Sequence, residues 1–155
     1  MSEQGRTMKR AVGVAVVCGL FALAGCGGGG GDRLTKDALA SQADAICGKY
    51  EQKLDALAEP KSIEEVESLA EDAKPIVEDG VDELDDLEPP EELEEDYDRW
   101  IALNRESLEA IDELEEAAAS GDESRVEQVV QDANTKEKEA DALAGRIGLD
   151  ECATD

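Results

Sequence analysis

The sequence has 155 residues, of which 41 are Asp or Glu and 15 are Lys or Arg, and its formal net charge is −26. An acidic surface of this strength repels nucleic acid and anionic lipid headgroups, which argues against direct binding to either. The absence of histidine from the sequence excludes Ser-His and Cys-His nucleophiles, Glu-x-x-His di-iron sites and histidine-ligated zinc.

The N-terminal residues have the pattern of an export signal. Three basic residues between positions 6 and 10 precede an apolar segment over 11–24, which is long enough for a signal peptide and short for a membrane-spanning helix. The segment ends in Leu23-Ala24-Gly25-Cys26, which resembles the lipobox of bacterial lipoproteins. This resemblance implies cleavage between Gly25 and Cys26 and attachment of a diacylglyceryl group to the Cys26 thiol. An uncleaved signal anchor, with Cys26 an ordinary cysteine, is the alternative.

Lipidation of Cys26 predicts a chain anchored at the extracytoplasmic face of the cell membrane, because two acyl chains give stable attachment. The glycines over 27–31 form a flexible tether. The predicted organisation is a signal peptide over 1–25, a lipidated cysteine with its tether over 26–33, and a helical domain over 34–155. Cleavage removes one acidic and three basic residues and leaves 40 acidic and 12 basic ones, a net charge of −28.

In the first half of the predicted domain, apolar residues at helical spacing predict two helices. They span Thr35 to Leu57 and Ser62 to Leu87, and each begins at an N-cap residue. The second start is a capping box, in which Ser62 and Glu65 satisfy each other's backbone amides. Pro75 interrupts the apolar stripe of the second helix and predicts a kink near Ala73.

Two further helices follow. Pro89-Pro90 ends the second helix and Pro90 begins the third, Ser120-Gly121-Asp122 separates the third from the fourth, and Gly148 ends the fourth in a left-handed conformation. The core positions predicted for these helices are Leu93, Tyr97, Trp100, Ile101, Leu108, Ile111, Leu114 and Ala118, then Val126, Val129, Val130, Ala133, Ala140, Leu143 and Ile147.

Four amphipathic helices joined by short loops predict an all-α fold, an antiparallel up-down-up-down four-helix bundle with a kinked second helix. A three-helix bundle or an elongated hairpin is the alternative if Pro75 breaks the second helix. In the four-helix bundle, the start of the first helix, the Pro89-Pro90 turn and the end of the fourth helix lie at one end. We expect that end to face the membrane.

The four cysteines divide by compartment. Cys18 leaves with the signal peptide and Cys26 is lipidated, so Cys47 and Cys152 remain as one pair in an oxidising compartment. We predict a disulfide between them, which requires residues 149–152 to fold back along the first helix. Two free thiols or an intermolecular bridge are the alternatives.

The sharpest charge feature is the segment from Glu78 to Asp98, which has 13 acidic residues among 21 and no basic one. Such a surface binds divalent cations weakly or faces a basic partner. A solvated surface without a ligand is the alternative. Carboxylates are too common in this chain for any pair to be nominated as catalytic, so we predict no catalytic residue, no metal ligand and no cofactor.

Tyr97, Trp100 and Asn104 lie about one turn apart on the third predicted helix. Such a cluster is typical of a ligand groove. The alternative is that the two aromatic rings fill an alanine-rich core.

Several segments resemble a group of small exported bacterial helical lipoproteins. The matching pieces are Leu34-Thr35-Lys36, Ala43-Asp44-Ala45-Ile46-Cys47, Pro89-Pro90, Ala117-Ala118-Ala119-Ser120-Gly121-Asp122 and Gly148-Leu149-Asp150-Glu151-Cys152. The resemblance implies a helical bundle in which Cys47 pairs with Cys152, and it implies no enzymatic activity. The sequence therefore predicts a non-catalytic, membrane-anchored lipoprotein that contacts an envelope protein. An extracytoplasmic module for a small ligand or a divalent cation is the alternative.

Overall fold

A computed structural model describes residues 33–153, which form four α-helices and two short 3₁₀ helices and contain no β-strand. The elements are α1 (Lys36–Leu54), α2 (Ile63–Asp85), the 3₁₀ helix η1 (Glu91–Leu93), α3 (Glu94–Ala119), α4 (Glu123–Ile147) and the 3₁₀ helix η2 (Glu151–Ala153). The prediction of an all-α domain is confirmed for this part of the chain. The predicted signal peptide, Cys26 and the glycine tether lie outside the described residues.

Caps confirm the predicted starts of the first, second and fourth helices and the predicted end of the fourth, whereas α1 ends at Leu54 and not at Leu57, and α2 ends at Asp85 and not at Leu87. The side chains of Thr35, Ser62 and Asp122 each accept a hydrogen bond from the backbone N–H three residues later, at 3.2, 3.3 and 3.0 Å. Gly148 follows α4 with φ of 87°, in the left-handed region that glycine tolerates. The capping box differs in one detail, because Glu65 accepts from the N–H of Lys61 and not from that of Ser62.

Two predictions about proline need correction. α2 continues as one helix through Pro75, so the alternatives in which it breaks there are wrong, and the kink near Ala73 stays a prediction. Pro75 is solvent-exposed, so water can satisfy the carbonyl that loses its amide partner. Pro90 does not begin the third helix: it is extended, with ψ of 149°, and α3 starts at Glu94 after η1.

α3 is the central element of the domain. It packs along α2 on one side and α4 on the other, and α1 packs on α2. Ion pairs mark the register of these contacts, and because they are exposed each contributes only about 0–1 kcal/mol. They are Asp85–Arg105 and Lys74–Asp112 between α2 and α3, and Asp96–Arg146 and Glu113–Arg125 between α3 and α4.

The largest buried cluster lies towards one end of the domain. It contains Leu39, Ala43, Leu84, Tyr97, Trp100, Ile101, Leu103, Leu143, Ala144, Ile147 and Leu149. The hydroxyl of Tyr97 donates a hydrogen bond to the Leu84 carbonyl at 2.7 Å, and burial raises the pKa of this phenol. The ring of Trp100 packs against that of Tyr97 with centroids 5.5 Å apart.

The start of α1 and the turn between α2 and α3 lie at the same end, as predicted. The N–H of Leu34 donates to the Glu88 carbonyl at 2.8 Å. The guanidinium of Arg33 donates to the Pro89 carbonyl and pairs with Glu94, both at 2.9 Å. We call the surface formed by residues 33–36, 87–96 and 146–149 the tether end, because the predicted tether precedes it.

The predicted core contains one error and misses four buried hydrophobic residues, Leu103, Ala117, Ala144 and Leu149. Val130 was assigned to the core stripe of the fourth helix, but its exposure is 43%, the one large hydrophobic residue exposed to this degree within 33–153. The four missed residues are buried although the stripes did not include them. The same range contains no helix that is both long and apolar enough to cross a membrane.

Candidate functional site: an open groove between α1 and α4

The position of η2 determines how α1 and α4 meet. Cys47 in α1 and Cys152 in η2 form a disulfide, with Cα atoms 5.3 Å apart, which confirms the predicted intrachain bond. The N–H of Glu151 donates to the carboxylate of Asp44 at 3.0 Å. η2 packs on both α1 and α4, so these two helices are joined mainly through η2.

Helix length leaves part of α3 uncovered. α1 has 19 residues and α3 has 26, which correspond to about 28 and 39 Å. Because α1 starts at the tether end and stops at Leu54, it does not extend along the last turns of α3.

A groove lies between α1 and α4, with α3 as its floor. Two cavities of about 480 and 350 Å³ lie along it. They share the lining residues Leu54, Val77, Trp100, Asn104, Glu137 and Cys152, so they form one continuous surface, which we call the α1–α4 groove. Its floor along α3 extends from Trp100 to Leu114, about 21 Å of helix.

Most of the lining is apolar. Val77, Ile111 and Leu114 are partly buried, and Val130 contributes its exposed side chain. The polar groups on the floor already bond to their own helix: the amide nitrogen of Asn104 donates to the Trp100 carbonyl at 2.9 Å, and Ser107 donates to the preceding turn. The floor is therefore suited to apolar contact.

All ionisable side chains that line the two cavities, apart from the Tyr50 phenol, are carboxylates. They belong to Glu51, Asp55, Glu137, Asp141 and Glu151. No Lys or Arg lines either cavity in the described part of the chain. The groove therefore combines an apolar floor with a negative rim.

The tether-end half of the groove is held by a contact between α1 and α2. The hydroxyl of Tyr50 donates to Glu83 at 2.7 Å, and Lys49 pairs with the same carboxylate at 2.6 Å. Hydrogen bonds from Lys49 first and Tyr50 second lower the pKa of the Glu83 carboxyl. The ammonium groups of Lys49 and Lys53 lie 4.6 and 4.1 Å from the centroid of the Tyr50 ring.

The residues of the cluster predicted on α3 are divided between the core and the groove lining. Tyr97 and Trp100 are each 2% exposed and belong to the core. Trp100 and Asn104 also line both cavities, whereas Tyr97 lines neither. Trp100 thus separates the core from the groove.

The acidic segment from Glu78 to Asp98 covers the end of α2, the turn, η1 and the start of α3. Within residues 33–153, no cluster of three or more His, Cys, Asp or Glu side chains is arranged to hold a metal ion. The predicted weak binding of divalent cations has no organised site among these residues and stays a prediction.

Sequence reasoning found Trp100 and Asn104 but missed the groove, together with Glu137 and Val130 as its rim. Comparison of the chain with protein-family models, with curated proteins and with solved structures finds no match in any of the three.

Proposed function

We propose that the chain is a non-catalytic lipoprotein, anchored by a diacylglyceryl group on Cys26 at the extracytoplasmic face of the cell membrane. It presents an up-down-up-down helical domain to a protein partner. The observation that carries this proposal is the α1–α4 groove, an open apolar surface on a strongly charged domain. A concave, mostly apolar surface that remains open to solvent is a common feature of binding sites.

Two features support the anchored arrangement. The described residues begin at the tether end, where Arg33 and Leu34 are bonded to the turn between α2 and α3, so a tether from Cys26 would join the domain at that end. The disulfide between Cys47 and Cys152 is typical of exported proteins, because cytosolic reductants keep thiols reduced.

The chemistry of the groove supports binding and not catalysis. A nucleophilic hydroxyl needs a base within hydrogen-bond reach. The hydroxyl of Ser107 instead donates to the Leu103 carbonyl of its own helix at 3.4 Å.

Photo-crosslinking in intact cells tests the proposal. A photoreactive phenylalanine analogue at Val130 should capture a reproducible membrane-associated protein. The same analogue at Glu127, an exposed α4 position that lines neither cavity, should not. Capture at both positions or at neither contradicts a binding role for the groove.

The anchor has its own test. Mass spectrometry of the native protein should show a diacylated N-terminal Cys26, and Cys26→Ala should abolish lipidation. An unmodified chain that retains residues 1–25 would contradict the proposed lipid anchor but would not affect the binding role proposed for the groove.

A module for a small ligand is the second candidate. The larger cavity, about 480 Å³, lies within the range of about 300–1,000 Å³ that is common for ligand pockets. If the domain binds divalent cations, calcium should raise its Tm more than sodium does at equal ionic strength. Equal effects of the two cations on the Tm would contradict divalent-cation binding.

A further inference from the structure

We propose that the α1–α4 groove binds a cationic amphipathic helix of the partner protein. This inference rests on the protein-binding role proposed above and specifies the chemistry of the partner. The helix lies with its apolar face on the groove floor and its Lys or Arg side chains at the rim.

The shape of the groove matches a helix. Its floor along α3 is about 21 Å long, and its walls are α4 and the end of α1. The groove lies beside α1, between α1 and α4, and these two helices are joined mainly through η2. A helix laid on its floor would therefore pack between α1 and α4. It would bury Val77, Ile111 and the exposed Val130 side chain. Apolar anchors one turn apart on a helix, laid into an apolar groove, are a common mode of peptide recognition.

The negative charge of the rim indicates the charge expected of the partner. Asp55 stands at the α1 edge and Glu137 at the α4 edge, and no Lys or Arg lines the groove in the described residues. An acidic peptide would therefore be repelled, and so would an anionic lipid headgroup. Lys and Arg side chains can lay their aliphatic stems along the apolar walls and hold their charges beside these carboxylates. Electrostatic complementarity thus favours a basic amphipathic helix.

Trp100 provides a direct measurement. It is the only tryptophan in the sequence and it lines both cavities, so its fluorescence reports on the groove. The full chain is anchored in phosphatidylcholine vesicles and titrated with a tryptophan-free peptide of about 18 residues, with leucines on one face and lysines on the other. The comparison peptide has glutamate in place of each lysine, and protein-free vesicles provide the blank. The lysine peptide should change Trp100 emission with saturation, and the glutamate peptide should bind at least about tenfold more weakly.

A matched pair of variants separates the groove from the general negative charge of the protein. Glu137→Lys changes a rim residue and should raise the Kd about fivefold or more, whereas Glu127→Lys makes the same charge change on the same helix outside the groove and should alter the Kd less than about twofold. Val130→Asp should also weaken binding, and because this side chain is already exposed the domain should remain folded. Circular dichroism of each variant checks folding.

Three results would overturn the inference: equal binding of the two peptides, equal effects of Glu137→Lys and Glu127→Lys, or a Trp100 response to a quaternary-ammonium detergent but not to the lysine peptide. The third result would indicate a small cationic amphiphile as the ligand. Failure of the peptide assay together with specific crosslinking at Val130 removes this inference and leaves the protein-binding role. Failure of both removes the binding role as well.

Discussion

Removal of the disulfide should destabilise the domain more than any other single change in its covalent structure. The Cys47–Cys152 bond closes a loop with a sequence separation of 105. In the chain-entropy model, a loop of this length loses about 16 cal/mol/K of unfolded-state entropy, or about 4.8 kcal/mol at 25 °C. The stability of a small domain is typically about 5–15 kcal/mol. The bond therefore contributes between a third and nearly all of the free energy of unfolding.

Urea unfolding followed by circular dichroism gives the measurement. Three samples are compared: the oxidised protein, the same protein with a reductant, and Cys47→Ala/Cys152→Ala. Reduction keeps both sulfur atoms and removes only the crosslink, so it should account for most of the lost free energy. The alanine variant should lose up to a few further kcal/mol, because Cys47 and Cys152 also pack against the core.

Three results would contradict this prediction or assign the lost stability to another cause. A loss below about 1 kcal/mol on reduction would show that the unfolded chain gains little freedom when the loop opens, and the entropic reasoning would be wrong. A large loss in the alanine variant with almost none on reduction would assign the effect to packing. A count of two free thiols in the oxidised sample would contradict the bond itself.

Three further predictions concern the α1–α2 contact and the overall charge. In Gly80→Ala the new Cβ would lie 3.0 Å from the Tyr50 ring, whose hydroxyl is bonded to Glu83, so a steric cost of about 1–3 kcal/mol should exceed the gain in helix propensity of about 1 kcal/mol and leave a net destabilisation of up to about 2 kcal/mol in thermal unfolding. Gly48→Ala, with nothing within 4 Å, should stabilise α1 by about 0.5–1 kcal/mol, and the opposite order would refute this packing. The Lys49 hydrogen bond lowers the pKa of the Glu83 carboxyl. The stabilisation of the fold by this ion pair is therefore complete above the unfolded pKa of about 4.3 and is lost as pH falls through the lower pKa of the folded state. The destabilisation caused by Glu83→Gln should disappear at acidic pH, and a pH-independent difference in stability would contradict the Lys49–Glu83 ion pair. Sodium chloride should raise the Tm of the oxidised protein in calorimetry, since screening weakens repulsion among the excess carboxylates, and a Tm that falls with salt would show that the ion pairs matter more.

Local rules predicted most of the secondary structure. The caps at Thr35, Ser62 and Asp122 and the left-handed Gly148 are determined by a few neighbouring residues, so sequence pattern is enough to find them. The prediction of a disulfide between Cys47 and Cys152 rested on compartment and number, and it required only that the chain fold back after Gly148.

Tertiary placement could not be predicted in the same way. Periodicity identifies which face of α4 is apolar, but it does not say how closely the neighbouring helices pack on that face, and Val130 is exposed where it lines the opening between α1 and α4. Leu149 follows the last helical repeat, so no stripe could include it, and it is buried because η2 turns back onto α1.

The disulfide also constrains the order in which the protein can assemble. When the chain emerges from a ribosome or a translocation pore, Cys47 emerges 105 residues before Cys152. The Cys47 thiol therefore has no native partner until most of the domain has emerged. Leu149, which closes the core beside that bond, arrives equally late. An oxidase that acted before Cys152 emerged would meet the Cys47 thiol without its native partner, so the native bond can form only after nearly the whole domain has emerged.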